Sequence, residues 1–270
     1  MGTLVCFHAH PDDESISTAG VMGQAAAEGH QVVLVCATRG EVGEVDDDVL
    51  DEGESLGDRR VEETQASAAL IGAGRVEFLG YRDSGMMGEP TNNDPECFWQ
   101  ADVEEAAERL AAILREVGCT VLTIYDDNGN YGHPDHIQVH RVGLRAAALA
   151  GVDRVFEATA NRTWLRSLWM AARDDGLGLG LLLDEVDGAP DEAFLDQLGV
   201  TEDRITHGVD VRHHAELKRA SMAAHASQID EQSFFMSMPV DAFREAFGWE
   251  WFIEHGEIRS PDQPMKTSII

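Results

Sequence analysis

Short apolar segments alternate with helical segments along the first part of this chain, and that alternation restricts the folds open to it. Residues 31–37 read QVVLVCA, an unbroken apolar run typical of a strand buried on both faces. Strands separated by helices favour an α/β fold, with a Rossmann-like, doubly wound, mostly parallel sheet and right-handed crossovers. Similar short strands are predicted at Thr3–His8, Val76–Leu79, Cys119–Tyr125 and Arg154–Glu157.

Helices are predicted between these strands, and capping residues mark their ends. In the clearest case, residues 102–117, Asp102 and Glu105 match a capping box and Gly118 follows the last turn. The spacing predicts the other helices at residues 17–28, 59–70, 136–150, 161–173 and 212–228.

Beyond residue 160 the alternation weakens, and residues 176–190 read as a connection rich in glycine and leucine. We therefore expect two parts. Residues 1–160 would form the Rossmann-like catalytic domain. Residues 161–270 would form a smaller C-terminal lobe that packs on the sheet and contributes to the substrate cleft.

The charge of the chain excludes several classes of partner. There are 50 Asp and Glu against 20 Lys and Arg, a formal net charge of −30, and only Lys218 and Lys266 are lysines. Repulsion therefore opposes binding to nucleic acid or to an anionic membrane surface. No apolar run reaches the length of a membrane span, and the N-terminus lacks the basic region of a secretory signal. We expect a cytoplasmic protein; a homo-oligomer is compatible with all of this.

The four cysteines are widely spaced and form no CxxC pair. Three of them lie beside Val, Leu or Phe in predicted strands. Reduced thiols are therefore expected, without disulfides or a cysteine-ligated zinc.

Five of the 11 histidines lie in or beside two polar segments that follow predicted strands, namely His8, His10, His133, His136 and His140. Residues 10–14 read HPDDE, and residues 133–136 read HPDH. Because the carboxyl ends of parallel strands meet at one edge of a sheet, we expect these side chains to lie close together. Two or three histidines with a carboxylate form a hydrolytic zinc arrangement. On spacing alone His136 and His140 could both reach a metal, and either segment alone could be a loop with incidental histidines.

The sequence resembles the LmbE-like, or PIG-L, family of zinc-dependent N-deacetylases, which includes a mycothiol-pathway deacetylase and an amidase. The pairing of AHPDD with HPDH is specific, and the similarity covers about the first 160 residues in the family's order. The matching segments are AHPDDE (Ala9–Glu14), TRGEVGE (Thr38–Glu44), LGYRDSGM (Leu79–Met86) and YGHPDHIQVHR (Tyr131–Arg141).

The resemblance implies a metal centre. His10, Asp13 and His136 would bind Zn²⁺, with Fe²⁺ as an alternative for such a donor set. His140 would then be a histidine on the helix face. Asp12, beside the metal, would be the general base that takes a proton from the attacking water.

The resemblance also implies residues around the reacting amide. His133 would stabilise the tetrahedral intermediate and help to protonate the departing amine. Tyr131 would donate a hydrogen bond to the developing oxyanion. Asp135 would orient and tune His133.

Contacts with the substrate are less sharply defined. The resemblance points to Asp83, and Arg82 beside it could also hold sugar hydroxyls. Arg60 and Glu63 lie three residues apart, which fits either a substrate group or an ordinary ion pair on a helix. Glu41 lies at the same sheet edge. The implied partner is a small-molecule N-acetylated sugar.

The resemblance implies removal of the acetyl group from an N-acetylglucosaminyl unit, with N-acetylglucosaminyl-inositol as the first substrate to consider. An amidase of mycothiol conjugates would be expected to carry a lysine shortly after the DDE, and residues 15–17 read SIS. Another N-acetylated sugar stays open. A nucleotide-binding oxidoreductase would need a G-x-G-x-x-G where HPDDE stands. A non-catalytic binding module is disfavoured because every implied ligand and the base are present.

Overall fold

Seven strands form one mixed sheet in the computed structural model, which describes residues 1–46, 49–174 and 192–270. In chain order the strands are β1 (Thr3–His8), β2 (Gln31–Cys36), β3 (Arg75–Phe78), β4 (Val121–Tyr125), β5 (Val155–Thr159), β6 (His207–Asp210) and β7 (Trp249–Glu254). They lie side by side in the order β3-β2-β1-β4-β5-β7-β6, and β1 to β5 are all parallel. The predicted Rossmann-like, mostly parallel sheet is confirmed.

Helices connect the strands along the chain. They are α1 (Asp13–Ser17), α2 (Ala19–Ala27), α3 (Leu56–Ile71), α4 (Val103–Val117), α5 (Gly129–Gly132), α6 (Pro134–Ala150), α7 (Arg162–Asp174), α8 (Glu192–Gln197), α9 (Ala215–Ala224), α10 (Phe234–Ser237) and α11 (Val240–Phe247). Most of the predicted helices differ from these by a few residues at their ends. The helix predicted at 212–228 is shorter, and the connection predicted at 176–190 lies outside the described residues.

The local sequence sets the ends of α4 as predicted. The side chain of Asp102 accepts a hydrogen bond from the backbone N–H of Glu105 at 3.0 Å, which satisfies one of the free N–H groups of the first turn. Gly118 ends the helix at φ 62°, in the left-handed region that glycine adopts without strain.

Both faces of the sheet are covered, which explains the unbroken apolar strands. Successive residues of a strand point to opposite faces. Val5 and Phe7 of β1 therefore pack in one apolar cluster with α4 and α6. Leu4 and Cys6 pack in a second cluster with α2 on the other face. All four side chains are buried.

The last part of the chain adds β6 and β7 to the same sheet, although the sequence pattern predicted no strand there. Strand β7 runs antiparallel to β5, and β6 antiparallel to β7. Glu250 of β7 is buried and accepts hydrogen bonds from the backbone N–H groups of Gly20 and Val21, each at 2.8 Å. A strand of the last part of the chain thus caps the start of α2. The boundary at residue 160 stays a prediction.

Two expectations from composition can be compared with the structure. All four cysteines are free, as predicted, and three of them are buried. Across residues 1–46, 49–174 and 192–270, no helix is both long enough and apolar enough to cross a membrane.

The strand order reverses between β1 and β4, because β2 and β3 lie on one side of β1 and β5 lies beyond β4. Loops that leave neighbouring strands diverge at such a point and open a crevice at the carboxyl ends of the strands. The HPDDE segment follows β1 and the HPDH segment follows β4, so the fold brings the two histidine motifs to this crevice.

Candidate metal centre and active site

The loop after β1 turns sharply into α1. The backbone N–H of His10 donates to Oδ2 of Asp13 at 2.8 Å, so the first residue of α1 closes the turn. Between them Asp12 adopts φ 93°, a conformation that residues other than glycine rarely adopt. A backbone of this kind costs about 1–3 kcal/mol and persists where the surrounding contacts enforce it.

The loop after β4 is organised by a single carboxylate. Oδ1 of Asp126 accepts the backbone N–H groups of Asn128 at 3.0 Å and of Asn130 at 2.9 Å. The chain then enters α6, where Nδ1 of His133 accepts the backbone N–H of Asp135 at 3.1 Å and caps the helix. The histidines of the second motif are therefore fixed at the first turn of α6.

His10, Asp13 and His136 meet in the crevice. Nδ1 of His10 lies 3.5 Å from Oδ2 of Asp13, and Nε2 of His136 lies 3.3 Å from Oδ1 of the same carboxylate. A tetrahedral zinc ion with bonds of about 2.0–2.2 Å holds its ligand atoms roughly 3.3–3.5 Å apart. Each of these two separations therefore matches the spacing of neighbouring ligands on a divalent metal ion, and all three side chains are buried.

Other donors surround these three. Ligand atoms of His10, His133 and His136 lie within 4.8 Å of one another, and those of His10, Asp83 and Asp135 form a second group of the same size. Imidazoles with carboxylates suit Zn²⁺ and also Fe²⁺. A His/Asp metal-binding site is thus present, and its donors do not select one of these ions.

The electrostatics of the crevice favour positive charge. Burial disfavours a charged His10, yet the facing carboxylates of Asp83, Asp13 and Asp135 outweigh it and raise the pKa of His10 well above its usual range. Burial likewise disfavours an ionised Asp13, but His136 and His10 outweigh it and lower the pKa of that carboxyl. A cation among these carboxylates is therefore stabilised.

Asp135 contacts His133 in a different way from the one the sequence implied. Its Oδ2 lies 3.2 Å from Nε2 of His10 and accepts the backbone N–H of Ser84 at 2.9 Å, and its Oδ1 accepts the Ser84 hydroxyl. Only its backbone N–H reaches His133. The carboxylate therefore contacts His10 and Ser84, and the predicted role of Asp135 in orienting and tuning His133 stays a prediction. A carboxylate on the second nitrogen is the usual support of a metal-binding histidine.

Asp12 lies at the edge of the same crevice and is held by Arg60. The guanidinium of Arg60 is buried and donates to Oδ2 of Asp12 at 3.2 Å, to the carbonyl of Pro11 at 2.6 Å and to that of Gly40 at 2.8 Å. Burial raises the pKa of Asp12 to about 6, although the Arg60 charge opposes the rise. Arg60 thus fixes the turn in which Asp12 has its unusual backbone.

Tyr131 and His133 lie on the side of the crevice formed by the β4–α6 loop. The hydroxyl of Tyr131 is 3.4 Å from Nε2 of His136, and burial raises the pKa of this phenol above its usual range. Burial, with His10 and His136 nearby, lowers the pKa of His133 to about 2. Because Nδ1 of His133 accepts a backbone N–H, the proton of the neutral ring is on Nε2.

The predicted substrate contacts do not all meet at the crevice. Asp83 lies 3.4 Å from Nε2 of His10, and Oε2 of Glu41 accepts its backbone N–H at 3.2 Å. The side chain of Arg82 is 59% exposed and pairs with Asp94 instead. Arg60 is buried against backbone carbonyls and Asp12, as described above.

The ion pair considered for Arg60 and Glu63 is not formed. Both oxygens of Glu63 instead accept hydrogen bonds from Ser227, one from its backbone N–H at 2.8 Å and one from its hydroxyl at 2.7 Å. Arg60 and Glu63 therefore make separate contacts. Arg60 contacts the loop after β1, and Glu63 contacts the segment after α9.

The remaining histidines of the motifs are engaged elsewhere. Nδ1 of His140 donates to the carbonyl oxygen of Tyr125 at 3.0 Å. His140, one turn after His136 on α6, therefore ties the helix to the end of β4. His8 is buried between the hydroxyls of Tyr125 at 2.7 Å and Thr18 at 2.8 Å. Neither belongs to the groups of metal-binding geometry.

A buried contact between Glu14 and His225 was not predicted from the sequence. Both are fully buried, and Nε2 of His225 lies 2.6 Å from Oε1 of Glu14. Oε2 of Glu14 accepts the backbone N–H of Asp12 at 3.1 Å, so this pair ties the segment after α9 to the β1 loop. The partners are 211 residues apart, and no local spacing could have linked them.

Comparison with known proteins agrees with this geometry. Residues 5–147 match the family described as "PIG-L: GlcNAc-PI de-N-acetylase". A relative from Thermomonospora curvata, named 1D-myo-inositol 2-acetamido-2-deoxy-alpha-D-glucopyranoside deacetylase, is 41% identical over 267 residues, which cover 92% of this chain and 89% of the relative.

Solved structures share the fold at low sequence identity. The N,N'-diacetylchitobiose deacetylase from Pyrococcus horikoshii superposes with a TM-score of 0.52 at 21% identity, over 89% of this chain and 72% of that one. The 4-carboxy-2-hydroxymuconate hydratase GalB from Pseudomonas putida KT2440 gives 0.61 at 17% identity, over 98% and 100%. A deacetylase and a hydratase thus share this fold, so the fold alone does not choose between the two activities.

Proposed function

The chain belongs to the GlcNAc-PI de-N-acetylase (PIG-L) family, and on that premise we propose that it is a metal-dependent hydrolase that removes the acetyl group from N-acetylglucosaminyl-inositol. The observation that carries this proposal is that Asp13 lies at ligand spacing from both His10 and His136, with the charge of Asp12 close to Asp13 and His10. The relative that is 41% identical bears the name of a deacetylase of this pseudodisaccharide.

The metal we propose is Zn²⁺, held by Nδ1 of His10, the Asp13 carboxylate and Nε2 of His136. When bound, Zn²⁺ lowers the pKa of a water molecule to about 7 and polarises a carbonyl. Asp13 is favoured over His133 as the third ligand because its two oxygens face both imidazoles. Nδ1 of His133 is already occupied by a backbone N–H.

Asp12 is the general base in this proposal. It takes a proton from the attacking water, a role that needs a carboxylate with a pKa near the working pH. Burial supplies this by raising the pKa of Asp12 to about 6. Arg60 and the Glu14 carboxylate hold the side chain and the backbone of Asp12 in place. General base catalysis of this kind contributes on the order of 10²–10⁴ in rate.

His133 and Tyr131 stabilise the charge that develops on the carbonyl oxygen. The neutral ring of His133 carries its proton on Nε2, and Tyr131 keeps its phenolic proton, so each can donate a hydrogen bond. The departing amine needs a proton. Asp12 can return to it the proton taken from water, and His133 is the predicted second donor.

The substrate side of the proposal rests on fewer contacts. Asp83 and Glu41 lie beside the crevice and are the candidates for binding sugar hydroxyls. Arg82 is directed at Asp94 and is the weakest of the predicted contacts. The absence of a lysine in α1, where a conjugate amidase would be expected to carry one, favours the deacetylase.

The experiment is amine release from N-acetylglucosaminyl-inositol by the zinc-loaded protein, with Asp12→Asn as the blank. Signal well above that blank is expected. No signal on this substrate, together with amine release from a bulky mycothiol S-conjugate or from another N-acetylated sugar, would replace the substrate and keep the reaction class. No signal on any of them, with zinc bound, would favour a non-catalytic binding module.

A further inference from the structure

The two proposed histidine ligands are supported in different ways. Nε2 of His10 faces the carboxylates of Asp135 at 3.2 Å and Asp83 at 3.4 Å, which fixes its ring and its tautomer. His136 lacks such support among the described residues, because none of them offers a hydrogen-bond partner to its buried Nδ1. Metal-binding histidines normally rely on a bond at the second nitrogen for their orientation. The ring of His136 must therefore be held by other contacts.

Tyr125, the last residue of β4, provides a contact of the right kind. Its ring is fully buried and stacks on the ring of His136, with centroids 4.3 Å apart and an interplanar angle of 10°. The other rings around His136 are inclined to it by much larger angles, 38° for His10, 44° for His133 and 66° for Tyr131. Among the rings in the part of the chain that the structure describes, the Tyr125 ring is the one stacked parallel to the imidazole.

The far end of Tyr125 is itself tethered. Its hydroxyl lies 2.7 Å from Nδ1 of His8, and Nε2 of His8 lies 2.8 Å from the hydroxyl of Thr18. All three residues are buried. The tether runs from β4 through β1 to the residue between α1 and α2, so the Tyr125 ring has a fixed position in the sheet.

We propose that Tyr125 is a positioning residue of the metal centre, which holds the imidazole of His136 in its ligating plane by stacking. It does for His136 what Asp135 and Asp83 do for His10. This inference rests on the proposed metal site. The aromatic ring is the essential part. The hydroxyl tethers the ring to His8 and also faces the carboxylate of Asp13.

The test compares Tyr125→Leu, which removes the ring, with Tyr125→Phe, which keeps the ring and removes the tether. Zn²⁺ affinity is measured by competition with a zinc-binding dye, and folding of the zinc-free proteins by circular dichroism and urea unfolding. Tyr125→Leu is expected to bind Zn²⁺ about 10–100-fold more weakly than wild type, the range for losing such a supporting contact, and Tyr125→Phe within a few-fold.

Tyr125→Met serves as a second ring-free variant. The flexible methionine side chain can fill the space left by the ring, which lowers the risk that the variant fails to fold. Activity at saturating Zn²⁺ should recover in the ring-free variants, since Tyr125 does not touch the reacting groups. Wild-type affinity in a folded ring-free variant would overturn the inference, and so would an equal loss in Tyr125→Phe. A wild-type protein that binds no Zn²⁺ would instead contradict the proposed function.

Discussion

Two groups of buried charged side chains lie in different parts of this sheet. Lys218 of α9 donates to Oε1 of Glu250 on β7 at 2.7 Å, and the same carboxylate accepts the two N–H groups at the start of α2. At the carboxyl ends of β1 and β4, by contrast, the carboxylates of Asp13, Asp83 and Asp135 face imidazole rings. The first group, which we call the Lys218 pair, is complete within the chain. The second, the crevice cluster, is not.

The difference separates a structural role from a binding role. In the Lys218 pair one positive charge meets one negative charge, and the remaining oxygen is satisfied by backbone, so nothing further is required. In the crevice cluster three carboxylates meet rings that are neutral unless protonated, and the surroundings raise the pKa of His10. Buried negative charge without matching positive charge is the condition under which a protein takes up a cation. The crevice cluster should therefore control metal and catalysis, and the Lys218 pair should control folding.

The largest effect is expected from two changes at the crevice, one at His10 in the crevice cluster and one at Asp12 beside it. Asp12→Asn should keep the metal and lower the rate of amine release on the order of 10²–10⁴-fold, because the base is lost and the donors remain. Asn also tolerates the left-handed backbone of this position. His10→Ala should lose both zinc and activity. Zinc content and amine release are measured on the same preparations. An Asp12→Asn variant as active as wild type would refute the assignment of Asp12 as the general base.

Breaking the Lys218 pair should affect folding alone. Lys218→Met leaves the buried charge of Glu250 without its partner and should cost about 3–5 kcal/mol of unfolding free energy, measured in urea. Zinc affinity of the folded variant should match wild type. The double variant Lys218→Met/Glu250→Gln is the control, and it should recover part of the loss because the unpaired charge is gone. A single variant as stable as wild type would remove the distinction between the two groups.

Acid should weaken the same part of the sheet through His207 of β6. Burial, with Lys266 nearby, lowers the pKa of His207 from 6.5 to about 4. Protonation therefore favours the unfolded chain, and the stabilisation is present above pH 6.5 and lost as the pH falls towards 4. Between pH 7 and pH 5 the loss amounts to about 2 kcal/mol.

The control for this pH effect is His207→Gln, which cannot titrate. Wild type should lose about 2 kcal/mol more unfolding free energy than this variant between pH 7 and pH 5, because all other groups titrate in both proteins. Equal losses in the two proteins would show that His207 does not carry the effect.

The smallest effect is expected at Arg82. Its exposed pair with Asp94 should contribute less than about 1 kcal/mol, so Arg82→Ala should change stability little and leave zinc affinity unchanged. Steady-state kinetics should give a KM within about fivefold of wild type. A KM raised well beyond tenfold would restore Arg82 as a substrate contact.

The sequence predicted those features that depend on local pattern. The apolar runs identified β1, β2, β4 and β5 because these strands are covered on both faces, as Val5 and Leu4 show on adjacent positions of β1. The reversal at β1 and β4 then brought HPDDE and HPDH to one crevice. Strand β7 was not predicted. Its Glu250 is buried against Lys218, and a buried charged residue breaks the alternation of apolar and polar residues that marks a half-buried strand.

Contacts between segments far apart in the chain could not be predicted from the sequence. The carboxylate of Asp135 turned out to support His10, 125 residues away, because the β3 loop places Ser84 on its other side. The stacking of Tyr125 on His136 depends on how the end of β4 faces the first turn of α6. Spacing along the chain selects candidate donors, and packing decides which of them act together.

The most direct test of the account is an anomalous difference map at the zinc absorption edge, from crystals of the zinc-loaded wild-type protein. The account predicts one strong peak bounded by Nδ1 of His10, the Asp13 carboxylate and Nε2 of His136. Crystals of His10→Ala grown in the same way should lack it. A peak elsewhere, or a map without a peak in zinc-loaded wild type, would contradict the claim that the crevice cluster is a metal centre.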